Sequence, residues 1–302
     1  MQTEARFNES RAYGIELEVL SQYSAGYVAI KLTEAGIPTQ AEGYNHNLSN
    51  AWKIVPDGSL PRNGIELVSP KLYGTDGLNQ IKTVCEVLNS LTYGGRKTIS
   101  VNRACGFHVH HNAADLTKTQ YSNIISLTTR VQPFINLLLP ERIGSRWCKQ
   151  VTFDLIKQNQ RRNISLLLGG DRYYVVNASA YDRHRTIEFR SHTGTTNYEK
   201  IAAWVIFTQN IINAAISKKS VTKAPFSINN SIVEHALYTL GSDKNCEYTK
   251  MARKNIVRRI YAKQVRSITG FRGFGSAKRY LTPQQRREVV RRHDRFTIVV
   301  SI

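Results

Sequence analysis

Cysteine is sparse in this chain: four in 302 residues, Cys85, Cys105, Cys148 and Cys246, with no CxxC pair among them. That spacing argues against a disulfide framework and against a cysteine zinc site, and it suits a reducing cytoplasm. Long apolar runs are missing as well. The longest, Val84–Leu88 and Phe134–Leu139, are broken by Glu86 and Asn136 and fall far short of a bilayer span. No basic-then-apolar stretch opens the chain, so a soluble, untargeted protein is expected, with no membrane partner. Acidic residues are few, 22 against 42 Lys and Arg, for a net charge of +20. No internal repeat is visible. With 41% hydrophobic and 21% charged residues the chain can bury a substantial core.

Against that scarcity of acid, four short segments place ionic side chains on alternate residues. They are Gly14-Ile15-Glu16-Leu17-Glu18, Gly64-Ile65-Glu66-Leu67-Val68, Gly106-Phe107-His108-Val109-His110 and Thr186-Ile187-Glu188-Phe189-Arg190. In a strand successive side chains alternate faces, so each segment has one apolar and one ionic face. Carboxylates crowded on one surface repel one another unless metal ions or arginines compensate. The pattern therefore predicts a metal and phosphate site built on a sheet.

Around these segments the punctuation predicts a strand to about Ser21, a helix from Ala25 to about Ala35 stopped by Gly36, and a strand pair at 51–55 and 64–68 around Asp57-Gly58-Ser59. Asp76 is placed as the cap of an amphipathic helix over Leu78–Leu91, broken by Gly94-Gly95. Leu116–Leu139 reads as helix, kinked or divided at Pro133. Arg172–Ala180 and Arg185–His192 read as a hairpin across 181–184, followed by a mobile loop at 193–196 and an apolar helix over Tyr198–Ser217. Beyond a boundary at 217–224 the chain reads as helices: Met251–Ile268, then a glycine-rich loop at 270–275, then a helix capped by Thr282. From Asn245 onward fifteen basic residues face three acidic ones, so a net +12 sits in the last fifth of the chain. Such a segment attracts nucleic acid, another anionic polymer or an acidic partner; a solvated helical face is the plainer account.

The ordered set Glu16-x-Glu18, Asp57-Gly58-Ser59, Gly64 to Pro70, Cys105 to His110, and Asn177 to Asn197 resembles the amidoligase family, carboxylate-amine ligases related to glutamine synthetase and the glutamate-cysteine ligases. The resemblance implies an α+β fold: a curved antiparallel sheet whose concave face holds ATP and magnesium, with packed helices. It assigns 1–217 to a catalytic domain and leaves 218–302 as a basic, mainly helical extension. It implies activation of a carboxylate as an acyl phosphate and attack by an amine, on small, peptide or protein substrates. Related ligases form rings or dimers, and family members occur in bacteria and phages, so a phage-encoded chain would act in the host cytoplasm.

On this reading Glu16, Glu18, Glu66, His108 and Glu188 are the metal candidates. Glu16, Glu18, His110, Glu188 and Arg190 are the nucleotide contacts, and Glu66, His108 and Arg190 the catalytic set. Magnesium prefers oxygen ligands and retains waters, which fits few carboxylates plus phosphates. Other accounts stand beside this one. The ionic segments are also what a solvated sheet face looks like, His108 and His110 also suit a zinc hydrolase, and the fold can serve as a noncatalytic basic module. Asp57 suits a turn as well as a site. Asn177 and Asn197 orient substrate or cap local structure, Arg183 and Arg185 suit a hairpin tip, and His111 faces away. His192 is expected on the Glu188 and Arg190 face, bordering the site. Cys105 is expected as a small buried residue. In the tail, Arg272, Lys278 and Arg279 are candidates for phosphate contact.

Overall fold

The protein was described from a computed structural model covering residues 7–45, 47–223 and 247–269, together with Gln284. The expectations for 270–275, Arg272, Lys278, Arg279 and Thr282 lie outside these residues.

Ten strands are present among the described residues. They are β1 (Tyr13–Ser21), β2 (Thr39–Ala41), β3 (Trp52–Val55), β4 (Gly64–Val68), β5 (Thr92–Tyr93), β6 (Arg96–Lys97), β7 (Ile99–Ser100), β8 (Gly106–Asn112), β9 (Val176–Asn177) and β10 (Thr186–Thr193). Seven helices accompany them: α1 (Ala25–Glu34), α2 (Gly74–Ser90), α3 (Lys118–Leu138), α4 (Phe153–Asn159), α5 (Ala180–His184), α6 (Tyr198–Ile216) and α7 (Glu247–Thr269). One sheet runs β2-β3-β4-β1-β8-β10-β9, with β7 also pairing β1, and every pair in it is antiparallel except β2 with β3. The four ionic segments therefore occupy four consecutive central strands, β4-β1-β8-β10. No described helix is long and apolar enough to cross a membrane.

The apolar alternates of these strands, including Ile15, Leu17, Leu67, Phe107, Val109, Ile187 and Phe189, are buried in one core with α2, α3 and α6. The nearly all-apolar α6 lies on that face: Thr208 Oγ1 meets His111 Nε2 at 2.8 Å, and the Trp204 ring packs on His192. Ala252, Ile256, Val257 and Ile260 of α7 are buried in the same core, so this helix packs against the sheet-and-helix body.

Local chemistry accounts for most boundaries. Ser24 caps α1 and Gly36 ends its C-terminal turn at φ +83°, where a side chain would be strained. A Thr117–Gln120 capping box opens α3. Four expectations change. First, α2 begins at Gly74, not after Asp76; Glu9 Oε2, far back in the chain, accepts from Thr75 N (2.8 Å), leaving Asp76 to interact favourably with the helix dipole in the first turn. Second, α3 runs through Pro133 undivided, because burial on both sides of the proline outweighs one missing hydrogen bond. Third, the hairpin at 172–192 is closed by the short helix α5, and only Val176–Asn177 of its first arm forms strand. Fourth, the loop at 193–196 is packed: Gly194 N donates to Cys105 O (2.8 Å), and a Cβ on Gly194 would lie 2.6 Å from the Cys105 Cβ.

Candidate metal and phosphate site

Cross-strand register turns the four sequence patterns into one surface. Glu18 pairs with Glu66, Glu16 with His108, His110 with Glu188, and Glu188 with Asn177. Directly paired residues share a face, so Glu16, Glu18, Glu66, His108, His110 and Glu188 form a diagonal band across four strands. The band is not a solvated face: Glu188 is 3% exposed, His108 4% and Glu18 5%. Burying that much carboxylate is costly without compensation.

Compensation is visible in part. His108 Nδ1 lies 2.9 Å from Glu16 Oε2 and 3.6 Å from Glu188 Oε1. Arg190 pairs with Glu188 through Nη1, and Asn177 Nδ2 donates to the other Glu188 oxygen at 2.6 Å. Glu18 Oε2 accepts from Gly106 N at 2.5 Å. Gly106 is required here, since a Cβ would stand 2.8 Å from His108 Nε2 and 3.3 Å from Glu18 Oε2. His110 Nδ1 meets Thr186 Oγ1 at 3.1 Å. Its Nε2 is 3.2 Å from Glu16 Oε1 and 3.8 Å from Glu188 Oε1, without the alignment of a hydrogen bond to either.

The protonation pattern follows. Burial pushes Glu16 up, but His110 and His108 override it and hold the carboxyl well below its ordinary value. Glu188 goes the same way: burial raises it, and Arg190 and His110 outweigh burial. For His110, burial favours the neutral ring, yet Glu188 and Glu16 raise it above its ordinary value. Glu66 has no such partner. Burial, then Glu16, Asp57, Glu18 and Glu188, push it well above the carboxylate range. A carboxyl forced to hold a proton by four neighbouring acids is a place where a cation would be welcome.

Two groups have donor atoms within 4.8 Å of one another: Glu16, His108 and Glu188, and Glu18, Glu66 and His108. His108 belongs to both. The donor set, four carboxylates and one shared imidazole, fits hard divalent cations better than zinc, which favours nitrogen and sulfur.

The remaining expected residues fall into place or fall away. Asp57 stays near Glu66, but its Oδ1 accepts from Ser59 N (2.6 Å) and so shapes its own turn. Asn177 orients Glu188 and caps Ser179 N, whereas Asn197 caps α6 through Lys200 N. His111 is fully buried on the apolar face. Arg183 and Arg185 are exposed, Arg185 at φ 54° with its guanidinium over Tyr181. Cys105 is buried, and burial raises its thiol above the ordinary value, as a small buried residue would have it.

His192 is a correction. Phe189 pairs with Val109 and His192 with Phe107, so three residues of β10 span two of β8. This bulge slips the alternation by one and turns His192 onto the apolar face, between Phe107 and Trp204. Sequence reasoning also missed Lys53. It is 3% exposed, on the ionic face beside Val68, with Nζ donating to Asn45 O, Asn45 Oδ1 and Asn47 O. Its place between Trp52 and Ile54 in a strand was the available signal.

Residues 9–212 match the sequence profile of the family described as "Putative amidoligase enzyme", and the chain belongs to that family. No curated protein matches it in sequence. Among solved structures it is similar to a novel glutamine synthase homolog at 12% identity and TM-score 0.39, covering 84% of this chain and 65% of that one. It is also similar to a GmaS/ADP complex at 12% and 0.40, covering 93% and 73%. A third is the complex of the prokaryotic ubiquitin-like protein Pup with its ligase PafA, at 10% and 0.36, covering 96% and 63%. The chain thus spans less than two thirds of the length of the first and third of these.

Proposed function

We propose that this protein is an ATP- and magnesium-dependent carboxylate-amine ligase that forms an amide through an acyl phosphate, on the concave side of a curved sheet. The observation that carries the reading is the pair of three-residue ligand groups sharing His108 on one buried sheet face. Glu16 and Glu188 would hold one magnesium ion and Glu18 and Glu66 a second, with His108, whose neutral ring has a single free lone pair, able to ligate one of the two. Bound there, magnesium would neutralise phosphate charge and polarise the phosphoryl group being transferred.

The chain's own residues supply position and charge. Arg190 is fixed by Glu188 through Nη1 while its Nε is buried with no hydrogen-bond partner, which leaves a donor for a phosphoryl oxygen. Asn177 and Thr186 hold Glu188 and His110 in place from behind. Burial of the face excludes water, which protects an acyl phosphate from hydrolysis and strengthens each charge interaction. The zinc hydrolase reading is less favoured because four oxygen donors surround one shared imidazole. The carboxylate and amine, oligomeric state and cellular site follow from family membership only as expectations.

A thermal-shift titration with a nonhydrolysable ATP analogue tests this, run with magnesium, without it, and with zinc alone. A magnesium-dependent rise in melting temperature, absent in Glu188→Ala, is the expected result. Stabilisation by zinc alone with no nucleotide effect would replace the ligase by a hydrolase, and no shift with any ligand would leave a noncatalytic module.

A further inference from the structure

Beside the ionic face, two chain segments carry an exposed ladder of rings and cations that the ligase reading does not use. Arg146 Cζ sits 4.6 Å from the Trp147 ring centre, Trp147 packs edge-on to Tyr173 at 5.1 Å, and Arg172 Cζ lies 5.0 Å from the Tyr173 ring. Lys149 Nζ stands 5.2 Å from the Tyr174 ring and pairs with Asp171. The segments are joined by Lys149 N to Tyr173 O (2.6 Å) and Val175 N to Lys149 O (2.9 Å). They are tied to the site by Arg190 N donating to Val175 O (2.9 Å).

Trp147 is 38% exposed, whereas the other two tryptophans, Trp52 and Trp204, are 1% exposed. At 38% exposure part of the Trp147 ring is open to a further ring, beside a half-buried tyrosine. Arg146 and Arg172 have no carboxylate partner among the described residues, so neither charge is spent on an internal ion pair. Exposed rings interleaved with uncompensated cations are what unpaired bases and their phosphates require: every base has a face to stack, and each phosphate a charge to meet. An acidic peptide would use the cations and leave the rings idle. The chain's net charge of +20 supplies the long-range attraction.

We infer that the surface formed by Arg146, Trp147, Lys149, Arg172 and Tyr173 binds single-stranded nucleic acid and holds it at the β10 edge of the ionic face. The inference stands apart from the ligase reading, since it concerns a surface outside the carboxylate band.

The test uses the full chain and a fluorescein-labelled oligothymidylate of about twenty nucleotides, enough to span one single-strand site. Because Trp147 is the exposed tryptophan, stacking quenches the wild-type tryptophan emission on titration, a readout that needs no variant. The charge-neutral pair Trp147→Leu and Tyr173→Leu should weaken binding measured by anisotropy by about 10- to 100-fold. Arg146→Gln with Arg172→Gln should flatten the slope of log K against log salt by about 1.4. Circular dichroism confirms that each variant is folded. Absence of quenching, leucine variants that bind like wild type, or equal affinity for a duplex of the same length would overturn the proposal and leave binding to the basic residues beyond 269. Displacement by poly-L-glutamate at equal charge, with the same quenching, would overturn it in favour of an acidic peptide.

Discussion

At the scale of single residues the ionic face is a balance of charges that are individually costly to bury. Asn177 is the residue whose removal tests that balance most cleanly. It donates to Glu188 at 2.6 Å and is itself 4% exposed, so Asn177→Leu leaves the carboxylate misoriented without altering any proposed ligand. Loss of such a supporting hydrogen bond typically lowers metal affinity by about 10- to 100-fold, and calorimetric titration with magnesium should read a loss of that size. Gly106→Ala acts from the other side. Its Cβ would press on His108 Nε2 at 2.8 Å, so magnesium-dependent nucleotide binding should fall while far-UV circular dichroism stays unchanged. Retained binding in either variant would remove that neighbour from the site's support. Glu66 adds a pH dependence. Its folded value lies well above the ordinary carboxylate value, so the metal-free protein loses stability as pH rises from the carboxylate range through that raised value. A cation must displace the same proton, and the stabilisation by magnesium should grow over the same window.

At the scale of elements, the informative pair is β10 and α7. The bulge in β10 keeps Glu188 and Arg190 on the ionic side and delivers His192 to the core, where Arg259 Nη2 of α7 reaches its Nε2 at 3.1 Å. Further ties run from Arg258 to Glu199 (3.2 Å) and from Lys263 to Glu141 (2.6 Å). Surface pairs of this kind contribute little; the burial of Ile256, Val257 and Ile260 contributes more, about 1.5–3 kcal/mol for each fully buried side chain. A chain ended at Ser217 should therefore melt on the order of 10 °C lower by calorimetry, and an unchanged melting temperature would show that the helix only rests on the body. The helical pattern of 251–268 was legible in the sequence, but its docking was not, because the periodicity of one amphipathic helix does not say which face elsewhere receives it.

At the scale of the whole molecule, two histidines buried neutral set an acid limit. Burial, with Arg11 and His110 adding to it, lowers His111 to about 3, and burial with Arg259 holds His192 well below its ordinary value. The unfolded chain protonates both near 6.5. Their contribution is complete above that pH and is lost as pH falls, at about 1.4 kcal/mol per unit and per ring, down to about 3 for His111. Urea midpoints should fall steadily below pH 6.5, and His111→Gln should shallow that slope. A slope unchanged by the substitution would place the acid sensitivity elsewhere.

The sequence by itself determined the four ionic strands, the two-faced character of each, the apolar helix that covers them and the family to which they belong. These are local properties, set by alternation of side chains along a strand and by apolar periodicity along a helix. Tertiary structure alone decided which of the strands are neighbours, that Glu18 meets Glu66 and Glu188 meets His110, that the band is buried, and that Lys53 and Asn177 join it. It also overturned His192, since a bulge is one extra residue opposite a partner strand and has no meaning in a strand read alone. Register and burial depend on contacts between residues tens to hundreds of positions apart, and those contacts, not the local pattern, decide where each charge is placed.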